Sequence, residues 1–533
     1  KNCSVENSAI TSPGSVGGLI GHAGGNAWTY STITNCEVSN CTLSSSSTED
    51  LRVGDLVGTA GVGQVTVDQA TVDHTKGNTR TQDNATGEAI ENGLVGRAVL
   101  NDTGLLIVAG RVHVGVELNG ATVAIVVPKT GTISQHETLA DAVTAAQSGD
   151  TVVLVKNVTL DSGVTINKSI TINGGGKTIS AGTSASNVFP LFNVDGDNLT
   201  NVTIENCVFD IPENTQAWVA IYVQKSVDGL TIEGNTFKVH KGDGFQCIGL
   251  GYYKDRLTKN VLITGNTVLD DHTGDSQTEF VVAGQDNSNN YRTDYSTQKL
   301  TITSNLLKGT AKNKKLTGVL VSNVNGLTVT DNTFVDCYIG LCLNSCATND
   351  QEHPFQLANT IDKIIEGNDD AGTSKYVLVL TGEAPLDKQT KPITLWDVAY
   401  ERVYLDDNAE TKLSKIGFNT NGGQFASVME DHDGDGVEEF VRPITDITYV
   451  AFDSDEITLP AAPTRSGYTF AGWTAKSGST KLGKNDTSFT VKNSMEFVAQ
   501  WVEGDDFSAI GAGAAGLLLA AGSTNAPAPT LDA

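Results

Sequence analysis

The residues best suited to chemistry lie late in the chain, in Asp431-His-Asp433-Gly-Asp435-Gly-Val437-Glu-Glu439. Counting Asp431 as position 1, carboxylates fall at 1, 3, 5 and 9, Gly436 stands at 6, and Val437 at 7 offers its backbone carbonyl. That order can wrap oxygens around one hard cation. A twelve-residue calcium loop needs a bidentate Glu at its last position, where this chain has Arg442. The expectation is a structural Ca²⁺ held by Asp431, Asp433, Asp435, Val437 and Glu439, against the plainer alternative of an acidic, solvated turn.

A second concentration runs from Asp270 to Lys299, with Asp270, Asp271, His272, Asp275, Glu279 and Asp286, then Tyr291, Arg292 and Tyr295. Glycoside hydrolysis needs two carboxylates at a defined separation. Lyase chemistry needs a base beside a uronate, for which Arg292 or Lys254 could serve. No Asn-Thr-Asp, Gly-His-Gly or Arg-Ile-Lys string of the polygalacturonases accompanies them. Acidic loop residues without geometry are more often merely solvated, so no catalytic residue is assigned. Gly174-Gly-Gly-Lys-Thr178 lacks phosphate-loop spacing and reads as a β-turn. Gly-x-Ser-x-Gly and His-Glu-x-x-His are absent.

Composition narrows the classes further. The 533 residues carry a formal net charge of −27. Nucleic-acid binding is not expected, because phosphate neutralisation needs clustered Lys and Arg. Of eight cysteines, Cys3, Cys36, Cys207 and Cys337 sit in or just after recurring phrases. They are expected as small buried hydrophobes stacked in an interior. Cys337, Cys342 and Cys346 have poor spacing for zinc. The chain opens on Lys1 inside a repeat, without an initiator Met, and reads as a fragment or processed form.

The elements that must position these groups announce themselves by repetition. Between 169 and 368 a phrase of alternating β-formers ends in Asn: Ser169-Ile-Thr-Ile-Asn173, Asn201-Val-Thr-Ile-Glu-Asn206, Leu230-Thr-Ile-Glu-Gly-Asn235, Val261-Leu-Ile-Thr-Gly-Asn266, Leu300-Thr-Ile-Thr-Ser-Asn305, Leu327-Thr-Val-Thr-Asp-Asn332 and Lys363-Ile-Ile-Glu-Gly-Asn368. The asparagines lie 33, 29, 31, 39, 27 and 36 residues apart. One phrase every few dozen residues, closed by a turn former, signals a solenoid. Asn at the same turn can stack, its amide bonding along the ladder. Ahead of it, Ser134-Gln-His-Glu137 offers a capping box. Leu139, Ala142, Val143 and Ala146 form one helical stripe stopped by Gly149, and Asp150-Thr-Val-Val-Leu-Val155 is a strand. The run from Thr138 through Gly149 to Ile172-Asn-Gly-Gly-Gly-Lys-Thr-Ile179 resembles the opening of right-handed parallel β-helix proteins of the pectin-lyase-like superfamily.

The flanks differ. Val16-Gly-Gly-Leu-Ile-Gly21, Val53-Gly-Asp-Leu-Val-Gly58 and Asn92-Gly-Leu-Val-Gly96 are three copies whose leucines are 37 and 38 residues apart. Asn2-Cys-Ser-Val5, Asn35-Cys-Glu-Val38 and Gln69-Ala-Thr-Val72 form a companion phrase. These resemble the GLUG repeats of bacterial surface proteins and secreted peptidases, and the default reading of their glycines is tight turns. At the other end stand Ile416-Gly-Phe-Asn-Thr-Asn-Gly-Gly423, Leu459-Pro-Ala-Ala-Pro-Thr464, Gly467-Tyr-Thr-Phe-Ala-Gly-Trp473 and Phe497-Val-Ala-Gln-Trp501. They resemble the Listeria–Bacteroides repeat, related to the internalin B-repeat, with an insertion between Gly423 and Leu459. Tyr468, Phe470, Trp473 and Trp501 are expected to make its small core. The acidic loop lies in that insertion and is closest to the shorter Asp-x-Asp-x-Asp-Gly loops of extracellular β-proteins.

The expected fold is mainly β. GLUG-like repeats span 1–125, a right-handed parallel β-helix with an N-terminal helical cap 126–400, a linker 401–411, a small β-grasp-like module 412–502, and a tail 503–533. Phe507 to Ala521 is apolar but short and rich in Gly and Ala, so no convincing membrane span is expected. The resemblances imply an extracellular or cell-surface bacterial protein, adhesin-like, whose partner is a glycan or a host or matrix surface. The alternatives are a carbohydrate-active enzyme, lyase or hydrolase, on the β-helix, and a stalk that binds nothing.

Overall fold

The computed structural model describes residues 3–24, 30–48, 51–61, 63–67, 69–82, 89–100, 104–109, 111–129, 131–185, 187–242, 244–251, 256–274, 276–284, 297–310, 315–322, 324–330, 332–344, 356–358, 376–381, 393–396, 398–405, 413–425, 429–430, 439–440 and 444–503. The chain divides into two compact units, the first Lys1–Thr390 with Tyr404–Thr411 and Asp433–Gly436, the second Lys391–Val403, Lys412–His432 and Val437–Ala533.

The first unit holds two stretches of parallel coils. In the earlier one, Ser4–Glu6, Glu37–Ser39 and Thr75–Lys76 stack in parallel, as do Ala9–Ser12, Thr42–Ser45 and Thr79–Gln82. Ile20–Ala23, Val57–Ala60 and Val95–Ala98 form another wall. The glycine-rich repeats are therefore themselves a parallel β-solenoid. Their interior is Val16, Val38, Leu43, Val53, Leu56, Val57, Val65 and Val95. The three leucines lie on successive coils, Leu19 N donating to Leu56 O and Leu56 N to Leu94 O.

Gly93 of the third repeat copy is a turn residue, at φ +96°, but other repeat glycines are not. Gly17, Gly54, Gly58 and Gly96 are absent from the positive-φ positions. A Cβ on Gly54 would sit 2.1 Å from Val57 O and 2.4 Å from Gly96 N, and one on Gly58 2.5 Å from Val16 N. They are glycine because adjacent backbones touch there, which corrects the turn reading. The companion phrase also shifts in its third copy. Gln69–Asp73 is a short helix, and Thr75 takes the place opposite Val38 that Val72 was expected to fill.

In the later coils three parallel sheets alternate. The first contains Thr151–Leu154, Thr171–Asn173, Leu199–Glu205, Val227–Glu233, Thr258–Thr264, Thr297–Thr303 and Val324–Thr330. The second runs through Thr178–Ala181, Val208–Ile211, Thr236–Val239, Thr267–Asp270, Leu306–Lys308 and Thr333–Val335. The third runs through Phe189–Val194, Ala217–Val223, Phe245–Leu250, Thr278–Ala283, Leu316–Ser322, Ile339–Asn344 and Tyr376–Thr381. This is a parallel β-helix in a mainly-β chain. Alternate residues turn inward, so Phe209 stacks on Phe237 at 5.0 Å and Phe280 closes on Phe237 at 6.1 Å.

A helix, Leu139–Ala145, buries Leu139, Ala142 and Val143 and packs against the start of these coils. Its N-cap is Thr138, whose Oγ1 accepts from Asp141 N at 3.0 Å. The expected capping box is instead a strand, Ser134–His136, paired with Ala124–Val126. Gly149, at φ +95°, ends the segment in a conformation that favours glycine.

The corner between first and second sheets holds an asparagine ladder. The position before each rung is left-handed: Gly234 at φ +64°, Gly265 at +62° and Ser304 at +56°. Asn266 Oδ1 accepts from Asn235 N at 2.9 Å and Asn235 Nδ2 at 3.0 Å, while Asn266 Nδ2 donates to Asn305 Oδ1 at 3.0 Å and Ile232 O at 2.9 Å. Asn305 repeats this toward Asn332. Each amide is wholly buried yet satisfied, which is what permits polar groups in a core. Two of the phrases depart from this, the first at Asn173, which stands opposite Glu205 and donates its Nδ2 to Glu205 Oε1 at 2.6 Å. Asn206 takes the left-handed position at φ +53°, and Cys207 takes the rung, its N–H donating to Asn235 Oδ1 at 2.9 Å.

The second unit is a small mixed sheet in the order Ile393–Trp396, Asp446–Phe452, Leu413–Asn419, Met495–Glu503, Tyr468–Ala475, Lys481–Gly483. Leu413–Asn419 and Met495–Glu503 are parallel and the other pairs antiparallel. Ile393–Trp396, expected in the β-helix, is thus a strand of this module. Asp446–Phe452, expected in the insertion, is one of its inner strands. Phe418, Phe425, Trp473 and Phe497 are the aromatic core, with Phe470 and Trp501 at its margin. Tyr468 is not core. It is 40 % exposed, with the Arg465 guanidinium 4.1 Å over its ring.

Candidate functional site

Of the acidic loop, Asp431, Asp433, Asp435 and Val437 lie outside the described residues, while Glu439 begins a short strand. That strand pairs antiparallel with Met429–Glu430 in the register Glu430↔Glu439. Glu430 and Glu439 are thus register partners on either side of the acidic segment 431–438.

The Asp270–Lys299 region resolves into separate arrangements. Asp270 and His272 are 5 % and 3 % exposed. His272 Nδ1 lies 2.5 Å from Asp270 Oδ1 and Nε2 lies 2.8 Å from Ser276 O. A carbonyl only accepts, so Nε2 carries a proton. The Asp270 hydrogen bond, above all, raises the His272 pKa and favours the doubly protonated ring. Both nitrogens are engaged in folding the loop back on itself, and neither is placed to take a proton from a substrate. Asp271 is engaged as well, with His240 Nδ1, while His240 Nε2 stands 3.5 Å from Asp210 Oδ1. These three residues tie successive coils together along the surface. Asp275, Asp286, Tyr291, Arg292, Tyr295 and Lys254 lie outside the described residues.

Glu279 is different. It stands on the outward side of the third sheet, in register with Gln246 on the preceding coil and Thr317 on the next. Glu279 is half-buried on this face, and its neighbours along the sheet are more covered than the second sheet's outward residues. Tyr222 and Val282 are 9 % and 1 % exposed, against 39 % for Leu269 on the second sheet. Burial pushes the Glu279 carboxyl up to about 7, moderated by a hydrogen bond from Gln246. Thr317 is fully buried and its Oγ1 has no hydrogen-bond partner. On the Gln246 side, Trp218 meets Tyr222 edge-on at 5.0 Å. A protonatable acid, an unpaired hydroxyl and two aromatic rings on one partly covered face suit a polar ligand with apolar faces. The single-residue clue was Glu279 at an inward-outward alternating strand; its burial depends on residues far away in sequence.

The cysteines divide. Cys36, Cys207 and Cys337 are buried in the stacks, with burial raising the Cys207 and Cys337 thiol pKa values out of the reactive range. Cys3 is exposed, contrary to expectation, because it lies on the outermost described coil. Gly174–Thr178 is a turn, with Lys177 N donating to Gly174 O at 2.9 Å. Among the described residues no group of three or more His, Cys, Asp or Glu could hold a metal ion, and no helix is long and apolar enough to cross a membrane.

Comparison with curated proteins and with solved structures finds no match. Residues 415–500 match the Listeria-Bacteroides repeat domain, and residues 12–44 match the GLUG motif. Repeats of both kinds are typical of surface or secreted bacterial proteins. The chain thus carries a GLUG motif and a Listeria-Bacteroides repeat domain on either side of a parallel β-helix.

Proposed function

We propose that this chain is a secreted or cell-surface bacterial repeat protein, adhesin-like, that binds glycan or a host or matrix surface. The observation that carries this reading is the pairing of a GLUG motif with a Listeria-Bacteroides repeat domain in one chain. A solenoid suits it physically. Each coil buries its apolar side on the next, so length is gained without enlarging a core, and a long regular surface faces outward. The test is binding of the labelled full chain to a glycan array and to immobilised matrix proteins. Retention on neither would refute it and leave a stalk.

One observation favours a second reading, a carbohydrate-active enzyme. Glu279 combines a pKa near neutrality with a partly covered face, as a general acid requires. Against it, glycoside hydrolysis asks for a second carboxylate about 5–10 Å away, and Asp270 and Asp271 are both engaged by histidines. Incubation with acidic and neutral polysaccharides separates the readings, since new reducing ends or unsaturated products would establish catalysis.

The proposal includes structural Ca²⁺ at Asp431, Asp433, Asp435, the Val437 carbonyl and Glu439. The sequence order supports it, with carboxylates at positions 1, 3, 5 and 9 and Gly436 at 6. Calorimetry on the full chain should show calcium binding that Asp433→Asn weakens. No heat at millimolar calcium would sink it.

A further inference from the structure

We propose that the second unit carries a sugar-binding cleft of its own, formed by the Trp473 indole N–H, the Phe470 ring and the 484–487 turn, which takes one or two neutral pyranose residues of a glycan. This deepens the glycan-binding reading above and rests on it.

The cleft has a volume of about 340 Å³ and lies between Thr458–Ala462, the strand carrying Phe470 and Trp473, and the segment Gly483–Thr487. That volume is at the low end for ligand pockets, about 300–1,000 Å³, which suits a ring or two. The walls are rigid. Glu456–Thr458 pairs with Ser488–Thr490, and Leu459 N donates to Thr487 O at 2.9 Å. Gly472 sits at φ +125°, and a Cβ there would lie 2.5 Å from Leu482 O, so only glycine brings the two strands this close.

The chemistry of the lining is mixed in the manner sugars require. Leu459, Pro460 and Phe470 supply apolar surface for the C–H face of a pyranose, and aromatic rings are the strongest such surfaces. Trp473 is 3 % exposed and belongs to the core, yet its indole N–H has no hydrogen-bond partner among the described residues. The Trp473 side chain lines the cleft. A sugar hydroxyl in the cleft is a suitable acceptor for this N–H. Trp501, by contrast, donates its N–H to Thr420 O at 3.0 Å.

At the rim, Asp486 folds the turn. Its Oδ2 accepts from Gly483 N at 2.6 Å, and its own N donates to Gly483 O at 3.1 Å. The turn presents Lys484 and Asn485, whose side chains have no hydrogen bond or ion pair among the described residues. Lys484 and Asp486 cancel in charge, so the rim favours a neutral sugar over a uronate. The chain's net charge of −27 also repels acidic glycans.

The test uses the full chain. Methyl pyranosides of glucose, galactose, mannose and N-acetylglucosamine, and a neutral oligosaccharide array, are titrated while tryptophan fluorescence is followed. The expected result is a saturable change with at least one of them. Affinity should fall at least about tenfold, or about 1.4 kcal/mol, in Asn485→Ala and in Trp473→Phe, which keeps the ring stacking but removes the N–H. Neutral sugar binding that Asn485→Ala and Trp473→Phe leave unchanged overturns this site while the glycan reading survives elsewhere on the chain. Binding to acidic glycans only also overturns the site. No glycan binding at all overturns both.

Discussion

Replacing Glu279 with Gln should stabilise the β-helix at alkaline pH and leave it unchanged in acid. The side chain stands on a partly covered face, and burial lifts its carboxyl to about 7 from an ordinary 4.5. A carboxyl whose folded pKa is raised binds its proton more tightly folded than unfolded. Stability is therefore full below 4.5 and declines as pH rises toward 7. At about 1.4 kcal/mol per pH unit, the ionised form costs the fold about 3 kcal/mol above neutrality. Glutamine keeps the volume and a hydrogen-bonding group toward Gln246 without the charge. Urea denaturation at pH 4 and pH 8, followed by tryptophan fluorescence, measures the effect. The transition that contains Trp218 is identified with Trp218→Phe. The variant should gain about 3 kcal/mol at pH 8 and nothing at pH 4. An equal effect at both pH values, or a loss at pH 8, would refute the burial argument.

Other expectations follow from the same geometry. Asn266→Ala removes the acceptor of two N–H groups and the donor to Ile232 O; at about 1–3 kcal/mol per stranded group, denaturation should show a loss of about 3 kcal/mol or more. His272→Gln should cost most below pH 6.5, where the His272–Asp270 pair contributes fully, and progressively less as pH rises through the raised folded pKa; a pH series of melting temperatures reads this. Gly54→Ala places a methyl group 2.1 Å from Val57 O, so it should lower the stability of the first coils by about 3 kcal/mol, seen as early loss of hydrogen-exchange protection in 37–67.

How far the chain could be read in advance depended on what each feature depends on. The solenoid, the helix over 139–145 and the ladder were legible because each follows from local periodicity or from a residue's own turn preference. The rung at Cys207 was not. Asn is suited both to the ladder and to the left-handed position before it, and at 206 it takes the second role. The turn reading held for Gly93 but not for Gly17, Gly54, Gly58 and Gly96 for a related reason: glycine serves a positive φ and a close approach equally, and only the neighbouring coil distinguishes them. Tyr468 looked like core because it shares a string with Trp473, but at the end of its strand it lies over the sheet edge, where Arg465 covers it. The engagement of Asp270 and Asp271 by separate histidines, the uplift of Glu279 and the place of Trp473 in the cleft wall are all properties of surroundings assembled from distant segments.

The ladder has a consequence for how long such a protein can be. Asn235 and Asn266 are each preceded by Gly and followed by Thr, and each binds its neighbours by the same pattern. Excising 236–266 would join Gly234-Asn235 to Thr267 with the phrase intact, letting Asn235 meet Asn305 as it now meets Asn266. Duplicating the same segment would add a rung. Whole coils are thus interchangeable parts, each changing the solenoid's length by about 4.8 Å, whereas a deletion of a few residues within a coil would throw every later strand out of register. The reach of this protein is a quantity that recombination can adjust in whole steps while the flanking domains stay untouched.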